Sequence, residues 1–400
     1  MRVFFITKEW SALKRFVRRQ VDEPEGMPSV YMPWLAFRQR GYEVHVFMVG
    51  DFDAPDSLDY HGCRIHLVRR GQVSRPERLL KEATDNLRLY QAAARFGAFR
   101  RPDLVYTQRE DETYAAWALS RRFGAVCVKR IYGTALYSWW FIEKGLRRRL
   151  AALPGFLAWL WPSDLIVITN DGTDGEKLAR FLGIRPARYR FWMNGINKQW
   201  GNGVRDVSSL RKQIGLADGE AMLLTLGRLA NWKRHDRPIR ALPLILKQIP
   251  GAKLVVAGDG PLRGSLETLA RDLGVAEEVL FLGMVAHSRV RELMSAADVF
   301  ILPYDLSCLG NTLLEAQICG AATVTWNVGG TREVVKDRVN GRLLSNMEPK
   351  SLAGAVVELL REPSKRRQIQ EGARRFAANQ LKSWPERMEM EISLIETLMR

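Results

Sequence analysis

The sequence predicts an α/β protein built from two doubly wound domains that face each other across a cleft. Its 400 residues exceed what one hydrophobic core usually organises, so two domains of roughly 200 residues are expected. In the second half, continuous apolar segments of strand length alternate with amphipathic segments of helix length. This pattern is typical of a parallel sheet covered on both faces by helices. The first half repeats it less regularly, and we place the boundary near residue 198.

The second half shows the βα alternation most clearly. Its strand candidates, in chain order, are AMLLTLG, AKLVVAGDG, EVLFLGMV, VFILPYD and ATVTWNVGG. The helix candidates between them are RPIRALPLILKQIPG, LRGSLETLARDLG, SRVRELMSAAD and NTLLEAQICG. Ligands of open α/β sheets bind beyond the carboxyl ends of the strands, so we expect function in the loops that follow these strands.

The first half begins with the strand candidate RVFFIT, followed by the helix candidate SVYMPWLAFRQRG and the strand candidate YEVHVFMVG. Further strand candidates are PDLVYTQ, AVCVKRIYG, DLIVITN and YRFWMNG. The stretch 194–204 is rich in glycine and asparagine and suits a connection between domains.

The chain carries a formal net charge of +17, and most of the excess lies in the first half. Residues 1–200 hold 33 Lys and Arg against 21 Asp and Glu, whereas residues 201–400 hold 28 against 23. A basic face attracts nucleic acid, anionic lipid or phosphorylated substrates, or serves solubility alone. We do not expect nucleic acid as a partner, because the sequence shows no RRM, KH, helix-turn-helix or finger pattern.

Composition also limits the compartment and the use of metals. No apolar run reaches the roughly 18–20 residues that span a bilayer, and the N-terminus lacks the apolar core of a signal peptide. A cytoplasmic protein is therefore expected. The cysteines show no CxxC spacing and do not cluster with histidines, so reduced thiols are expected and no metal site is indicated. They are Cys63, Cys127, Cys308 and Cys319.

Two loops of the second half carry groups suited to a phosphate. Arg228 directly follows the strand LLTLG, and Lys233 lies in the same loop. A guanidinium fork and an ammonium point charge could converge on one anion. Residues 310–312 (Gly310, Asn311 and Thr312) begin a predicted helix, whose first backbone amides and dipole favour an anion.

Glu315 is a lone acid in an otherwise apolar helix. A buried carboxylate is costly unless it is paired. One interpretation is an ordinary helix glutamate near the N-terminus, stabilised by the dipole and exposed to water. The other is an acid kept for a ligand, such as the hydroxyl pair of a ribose. The pattern leaves both open.

Taken together, these segments resemble the GT-B glycosyltransferases of the large retaining family 4, also called group 1. The resemblance is carried by GRLANWKRHD, VVAGDGPLRGSLETLA, VLFLGMV, AADVFILPYD and SCLGNTLLEAQICGAATVTWNVGGTREVVKDRVNGRLL. It implies two Rossmann-like domains, residues 1–198 on the acceptor side and residues 199–378 for the nucleotide-sugar. Residues 379–400 are similar to a last helix that crosses back to the first domain.

The resemblance also implies roles for individual residues. Arg228 and Lys233 match the pair that holds the donor diphosphate and neutralises the departing nucleotide, and Glu315 matches the acid that grips the ribose. The remaining donor-side positions are Met284 and Val285 at the base, Gly310, Asn311 and Thr312 at phosphate or sugar, and Gly26 in the N-terminal loop. The family needs no metal or cofactor.

The chain departs from the family pattern where the sugar is expected. Ser307 stands where the family usually has an acid that contacts the donor sugar. Tyr132 replaces the histidine of a strand-loop pair, and a tyrosine is a poor base at neutral pH. Arg130 and Thr134 flank Tyr132 on the acceptor side and could share its role.

The resulting hypothesis is a retaining hexosyltransferase that uses a UDP or GDP sugar and a glycan or lipid-linked acceptor, in bacterial surface polysaccharide or glycolipid synthesis. The alternative is a non-catalytic family member that binds a nucleotide-sugar or glycan as a partner subunit. The basic, aromatic-rich segment 139–165 suggests contact with an anionic membrane, on the inner face of the cytoplasmic membrane. Its other interpretation is a surface helix with its tryptophans in the core.

Overall fold

The structure is a computed structural model, and it forms two compact units. One unit contains Met1–Gly195 and Trp384–Arg400, and the other contains Ile196–Ser383. We refer to them as unit 1 and unit 2. The structure describes residues 1–400 except 11–12, 19, 23, 25–27, 53–55, 71–80, 133–135, 137–152, 154, 170–173, 203–205, 307–308 and 347.

In its described residues, unit 1 contains an eight-stranded sheet with the order β3-β4-β2-β1-β5-β6-β7-β8. The strands are β1 (Arg2–Lys8), β2 (Glu43–Gly50), β3 (Ser57–Tyr60), β4 (Cys63–Arg69), β5 (Leu104–Thr107), β6 (Val126–Ile131), β7 (Leu165–Ile168) and β8 (Tyr189–Phe191). Neighbouring strands are parallel except for the edge pair β3 and β4. Central strands such as β1 are apolar along their length because both faces of the sheet are covered.

Helices cover the sheet of unit 1. They are α1 (Lys14–Val17), α2 (Pro28–Gln39), α3 (Lys81–Phe99), α4 (Thr113–Phe123), α5 (155–160), α6 (Gly175–Phe181) and, at the end of the chain, α15 (Trp384–Leu398). Helix α15 places Trp384, Met388, Ile392 and Ile395 in the same apolar core as Trp34 and Phe37 of α2. The last helix is therefore an integral part of unit 1.

In the part of unit 2 that the structure describes, six parallel strands have the order β11-β10-β9-β12-β13-β14. They are β9 (Ala221–Leu226), β10 (Ala252–Ala257), β11 (Val279–Gly283), β12 (Val299–Leu302), β13 (Thr323–Trp326) and β14 (Arg342–Leu344). Renumbered within the unit, this order is 3-2-1-4-5-6, the doubly wound arrangement of dinucleotide-binding domains. The strand order reverses between β9 and β12, and ligands of such sheets bind at this point.

The helices of unit 2 are α7 (Val207–Gln213), α8 (Asp236–Leu246), α9 (Arg263–Asp272), α10 (His287–Ala296), α11 (Asn311–Cys319), α12 (Thr331–Val334), α13 (Pro349–Arg361) and α14 (Pro363–Gln380). Of these, α8, α9, α13 and α14 share one apolar core with β9, β10, β12 and β13. The predicted class, two doubly wound α/β domains, is confirmed. Three of the cysteines, Cys63, Cys127 and Cys319, are buried and unbridged, and Cys308 lies outside the described residues.

Candidate functional site

The loop after β9 presents Arg228 and Lys233 at the point where the strand order of unit 2 reverses. Arg228 is exposed. Lys233 ends a 3-10 turn, and its Nζ lies 4.1 Å from the ring centroid of Trp232 and 3.5 Å from that of Tyr304. Ammonium groups are attracted to aromatic faces, so the two rings hold the Lys233 charge in a defined place. The Tyr304 hydroxyl donates to the Leu226 carbonyl at 2.7 Å, which fixes that ring.

The loops after β9, β10 and β11 are bonded to one another through their backbones. Leu229 N–H donates to the Asp259 carbonyl at 3.0 Å, and Gly258 N–H donates to the Gly283 carbonyl at 2.8 Å. A Cβ atom on Gly258 would lie 2.0 Å from the Gly227 carbonyl oxygen, and Gly258 has a φ of +141°. Both facts require glycine at this position. The GDGP turn therefore braces the loop that carries Arg228.

The segment after β12 supplies the other side of the site. Gly310 is the N-cap of α11 and has extended backbone angles, and the N–H groups of Leu313 and Leu314 donate to its carbonyl at 3.0 and 3.4 Å. Asn311 and Thr312 are the first two residues of α11. The first turn of a helix has amides without intrahelical acceptors and a partial positive charge, so it attracts an anion.

Glu315 lies in the second turn of α11 and is paired with a residue that the sequence did not suggest. Its Oε1 lies 2.8 Å from Nε2 of His287, the first residue of α10. The Glu315 side chain is 13% exposed and that of His287 is 35% exposed. Glu315 is thus mostly buried, flanked by the buried Leu314 and Ala316. A buried acid in an apolar helix is accounted for by this partner, which leaves its second oxygen for another donor.

Opposing effects set the charge of His287. Burial lowers the pKa of the imidazole, but the hydrogen bond to Glu315 and its negative charge outweigh burial and raise the pKa. The ring also packs against Trp200, with centroids 4.8 Å apart. A cation at the start of a helix is opposed by the dipole, so His287 needs this counter-charge. A histidine at a helix start next to the carboxyl edge of the sheet is the signal by which the pair could have been noticed.

Topology brings most of the predicted donor residues to one edge of unit 2. Strands β9 and β12 are neighbours, so Arg228 and Lys233 follow one strand and the start of α11 follows the other. Met284 and Val285 directly follow β11 at the same edge. The Met284 side chain is 73% exposed. Ser307 lies outside the described residues.

In unit 1, Arg130 is committed to a buried ion pair. It is fully buried, its Nη1 lies 3.6 Å from Glu391 Oε1, and Nη1 also donates to the Tyr106 hydroxyl at 3.4 Å. Arg387 binds the same carboxylate at 2.8 Å. Burial raises the pKa of Glu391, but the two guanidinium groups outweigh burial and lower it. The guanidinium of Arg130, placed on the acceptor side by the resemblance, therefore joins β6 to α15 inside unit 1.

Tyr132 follows β6, and its hydroxyl donates to the Ser29 carbonyl at 2.7 Å. Burial raises the pKa of this phenol to about 12, although the charge of Arg130 opposes the shift. The hydroxyl is therefore protonated at neutral pH and already bonded. Two neighbouring predictions, Gly26 and Thr134, lie outside the described residues.

A second group of charges in unit 1 was not anticipated. Glu112 ends the 3-10 turn Glu110–Glu112, which follows β5 where the strand order reverses between β1 and β5. Its carboxyl is fully buried and has no hydrogen bond among the described residues. Burial raises its pKa to about 8, against the charges of Lys8 and Arg109. Arg109 Nε lies 3.8 Å from Glu112 and its Nη2 lies 2.8 Å from Asp111. The segment RPDLVYTQRE predicted the strand, but it ends at residue 110 and so did not point to the buried Glu112.

The described residues offer neither a metal site nor a membrane-spanning helix. No group of three or more His, Cys, Asp and Glu in the described part of the chain has the arrangement of a metal site. Among the described helices, none combines the length and the apolar character needed to cross a membrane.

Family comparison agrees with the geometry of both units. The family described as "Glycosyl transferases group 1" matches residues 206–376, and "Glycosyltransferase Family 4" matches residues 35–200. The chain belongs to this glycosyltransferase family. The resemblance seen in the sequence is thereby confirmed, and it extends to the N-terminal half.

Curated relatives match part of this chain. The uncharacterized glycosyltransferase MJ1607 of Methanocaldococcus jannaschii is 37% identical over 48% of this chain and 47% of its own. A D-inositol 3-phosphate glycosyltransferase of Acidothermus cellulolyticus is 32% identical over 52% of this chain and 48% of its own. A GDP-mannose-dependent mannosyltransferase of Mycolicibacterium smegmatis, named for phosphatidylinositol monomannoside, is 34% identical over 38% of this chain and 42% of its own. The chain spans about half the length of the curated relatives it matches.

Solved structures share the fold over the whole chain. Sucrose-phosphate synthase from Thermosynechococcus elongatus has a TM-score of 0.80 at 20% identity, and covers 100% of this chain and 99% of its own. The Anabaena protein HepE in complex with UDP has a TM-score of 0.75 at 18% identity, with the same coverage. WaaG, a glycosyltransferase of lipopolysaccharide biosynthesis, has a TM-score of 0.74 at 19% identity and covers 99% of both chains. These likenesses establish the GT-B fold.

Proposed function

We propose that the chain transfers a sugar from a nucleotide-sugar of the UDP or GDP type to a glycan or lipid-linked acceptor. The observation that carries this proposal is the grouping of Arg228, Lys233, the start of α11 and Glu315 around the strand-order reversal of unit 2. Two cations and a helix N-terminus suit a diphosphate, and a paired carboxylate suits a ribose. An ordinary surface helix glutamate would be exposed to water, whereas Glu315 is mostly buried and paired with the half-buried His287.

Each group has a defined role in the proposed reaction. Arg228 and Lys233 neutralise the charge that develops on the departing nucleoside diphosphate, a form of electrostatic stabilisation that needs no proton transfer. The rings of Trp232 and Tyr304 hold the Lys233 ammonium before the donor arrives. Glu315, oriented by His287, accepts hydrogen bonds from the ribose hydroxyls. No metal or other cofactor is part of this proposal.

Uracil and guanine are both candidates for the base of the donor nucleotide. The HepE structures include complexes with UDP and with UDP-glucose, whereas the mannosyltransferase relatives are named for GDP-mannose. We propose retention of the anomeric configuration, transfer of a hexose, and a role in surface polysaccharide or glycolipid synthesis. The support is the family resemblance. Proton NMR of the first product tests the stereochemistry: an α-linked donor must give an α-linked product.

Release of nucleoside diphosphate tests the activity. The full chain is incubated with UDP-, GDP-, ADP- and dTDP-sugars, with and without glycan acceptors, alongside Lys233→Ala. Lys350→Ala serves as the control, because Lys350 is an exposed lysine of α13 in the same unit. We expect release from one class of donor, a loss of about 100-fold or more in Lys233→Ala, and no change in the control.

The alternative is a family member that binds the donor without transferring its sugar. It is favoured by the state of Tyr132, whose hydroxyl is bonded to Ser29 and whose pKa is raised to about 12. A phenol in that state cannot serve as a base at neutral pH. Donor binding without nucleotide release under any acceptor condition would establish this alternative and would contradict the proposed transfer.

We also propose that the protein is cytoplasmic and docks on an anionic membrane surface through the region of α5. Most of the segment 139–165 before residue 155 lies outside the described residues. In α5, Phe156 and Trp159 are buried, while Leu157 and Leu160 are 45% and 53% exposed. The tryptophan is thus core, and the two leucines form an exposed apolar strip a few residues after the basic sequence GLRRRL in the chain.

Liposome sedimentation tests this docking. Vesicles with anionic lipid should bind the protein at low salt and release it at high salt, and neutral vesicles should not. Replacing both Leu157 and Leu160 by serine should weaken binding, whereas Leu398→Ser, an exposed leucine of α15, should not. Equal binding to neutral vesicles, or an unchanged double variant, would contradict the proposal.

A further inference from the structure

Unit 2 contains a cavity that the proposed donor site does not use. Its volume is about 970 Å³, at the upper end of the roughly 300–1,000 Å³ that small-molecule sites occupy. It lies between the loop 231–236 and helix α9, with Asp305 at one side. Its lining residues are distinct from the positions assigned to the donor. Trp232 and Arg234 connect the two regions, because they flank Lys233 in the chain.

The lining combines an aromatic ring and three leucines (Leu262, Leu266 and Leu269) with hydroxyl, amide and carboxylate groups. Trp232 is 41% exposed, an unusual degree for a large aromatic side chain. Ser265, Thr268 and Asp272 project from the opposing helix, and Asn231 precedes the tryptophan. A pyranose ring presents C–H groups on its faces and hydroxyls on its rim. An indole can pack against the faces, and short polar side chains can bond the rim.

Ion pairs hold the charged part of the lining in place. Arg234 donates from Nε and Nη2 to the two oxygens of Asp236 at 2.9 and 3.0 Å, and from Nη1 to Asp305 at 3.1 Å. Arg240 Nε lies 3.5 Å from Asp236. Carboxylates fixed in this way keep acceptor capacity for ligand hydroxyls without moving.

The charge balance argues against an anionic ligand. The cavity is lined by two arginines, Arg234 and Arg240, and three aspartates, Asp236, Asp272 and Asp305. Both arginines contact Asp236, so neither presents an uncompensated charge. Asp305 is also paired with Arg237 at 2.5 Å, so the surroundings of the cavity are close to neutral. A phosphate would meet arginines that are already paired, whereas a neutral polyol would meet fixed acceptors and donors.

We propose that this cavity binds a neutral, hydroxyl-rich segment of the glycan acceptor. The identity of the ligand as acceptor rests on the proposed function, but the chemistry of the cavity does not. Trp232 contacts both the cavity and the Lys233 ammonium, so a glycan seated there lies next to the group that acts on the donor. The cavity thus extends the recognition of the acceptor onto unit 2.

Saturation-transfer NMR with neutral tetrasaccharides tests the proposal. The probes are an α-linked glucotetraose and an α-linked mannotetraose, with inorganic phosphate as a competitor. Ser265→Trp places an indole in the cavity from an exposed helical position, and Asp272→Asn removes one carboxylate. Arg271→Trp is the matched control, because Arg271 is exposed on the same helix but outside the lining. Thermal melting confirms that each variant folds.

We expect one tetrasaccharide to bind the wild-type chain, Ser265→Trp to weaken it at least about tenfold, and Asp272→Asn to weaken it less. The control should bind as the wild type does. Absence of binding by both tetrasaccharides, equal loss in the control, or displacement of the glycan by phosphate would overturn the proposal.

The same variants separate this proposal from the donor site. Ser265→Trp should keep the thermal stabilisation by the nucleotide-sugar, and Glu315→Ala should lose it while keeping the tetrasaccharide. If no nucleotide-sugar stabilises the protein but Ser265→Trp still abolishes glycan binding, the proposed transfer fails and the glycan cavity stands. If the donor binds and no glycan does, the proposed glycan cavity fails and the donor site stands.

Discussion

Replacing His287 tests whether Glu315 is held in position for a ligand. In the structure, His287 Nε2 lies 2.8 Å from Glu315 Oε1. His287→Ala removes this partner and lets the carboxylate rotate, while His287→Gln keeps an N–H donor on a side chain of similar reach. We therefore expect the alanine variant to bind the nucleotide-sugar more weakly and the glutamine variant to recover most of the affinity.

The size of the effect follows from the exposure of the pair. A hydrogen bond to a charged group contributes about 1.5–3 kcal/mol, and exposed ion pairs contribute less than about 1 kcal/mol. Because the two side chains are 35% and 13% exposed, we expect about 1 kcal/mol, or roughly fivefold in Kd. Glu315→Ala removes the ligand contact itself and should cost about 2–3 kcal/mol, up to roughly 150-fold.

Isothermal titration with the donor measures both effects across pH. Glu315 raises the pKa of His287, so the pair is fully charged below about pH 6.5 and loses its charge as the pH rises through the raised value. The difference between wild type and His287→Ala should therefore shrink at alkaline pH. An unchanged Kd in His287→Ala, or a glutamine variant as weak as alanine, would refute the positioning role.

Three further predictions concern stability, each measured by thermal melting. Gly258→Ala should cost about 2 kcal/mol or more, because its Cβ would meet the Gly227 carbonyl and because Gly258 has a φ of +141°. Gly264→Ala should instead stabilise the protein by about 0.5–1 kcal/mol, because the added Cβ meets open space in α9. Glu391→Gln should cost about 3–5 kcal/mol by leaving two buried guanidinium groups without a counter-charge. Glu396→Gln breaks a surface pair with Arg40 and should lower the melting temperature far less. Burial lowers the pKa of His235 to about 4, so the folded chain excludes a proton that the unfolded chain binds below about pH 6.5. The free energy of unfolding should therefore fall as the pH drops from about 6.5 toward 4, and it should fall less steeply in His235→Gln. Equal melting of either matched pair, or identical pH slopes, would contradict the corresponding reasoning.

The sequence was sufficient for those features that repeat along the chain. Apolar strands such as β9 and β10 are buried on both faces, so their continuous apolar runs predicted a parallel sheet and hence the loops where Arg228 and Lys233 lie. The position of Glu315 near the start of α11 followed from the same periodicity. These features depend on local pattern, which a single sequence contains.

Contacts between distant residues could not be predicted in this way. The partner of Glu315 lies 28 residues earlier in the chain, and Glu391 lies 261 residues after Arg130. Arg130 was expected near the acceptor because it precedes Tyr132, but a charged residue in a strand gives no sign of which face holds its counter-charge. The cavity beside Trp232 likewise depends on how α8 and α9 pack, and no local pattern records it.

Thermal stabilisation by nucleotide-sugars shows whether unit 2 binds a donor through Glu315. Wild type, Glu315→Ala and Glu371→Ala, the last an exposed glutamate of α14, are melted with UDP-, GDP-, ADP- and dTDP-sugars. A donor at 100 times its Kd adds about 2.7 kcal/mol to the free energy of unfolding of the part that binds it. We expect a shift with one class of donor that Glu315→Ala loses and Glu371→Ala keeps. No shift with any donor, or an equal shift in all three proteins, would contradict it.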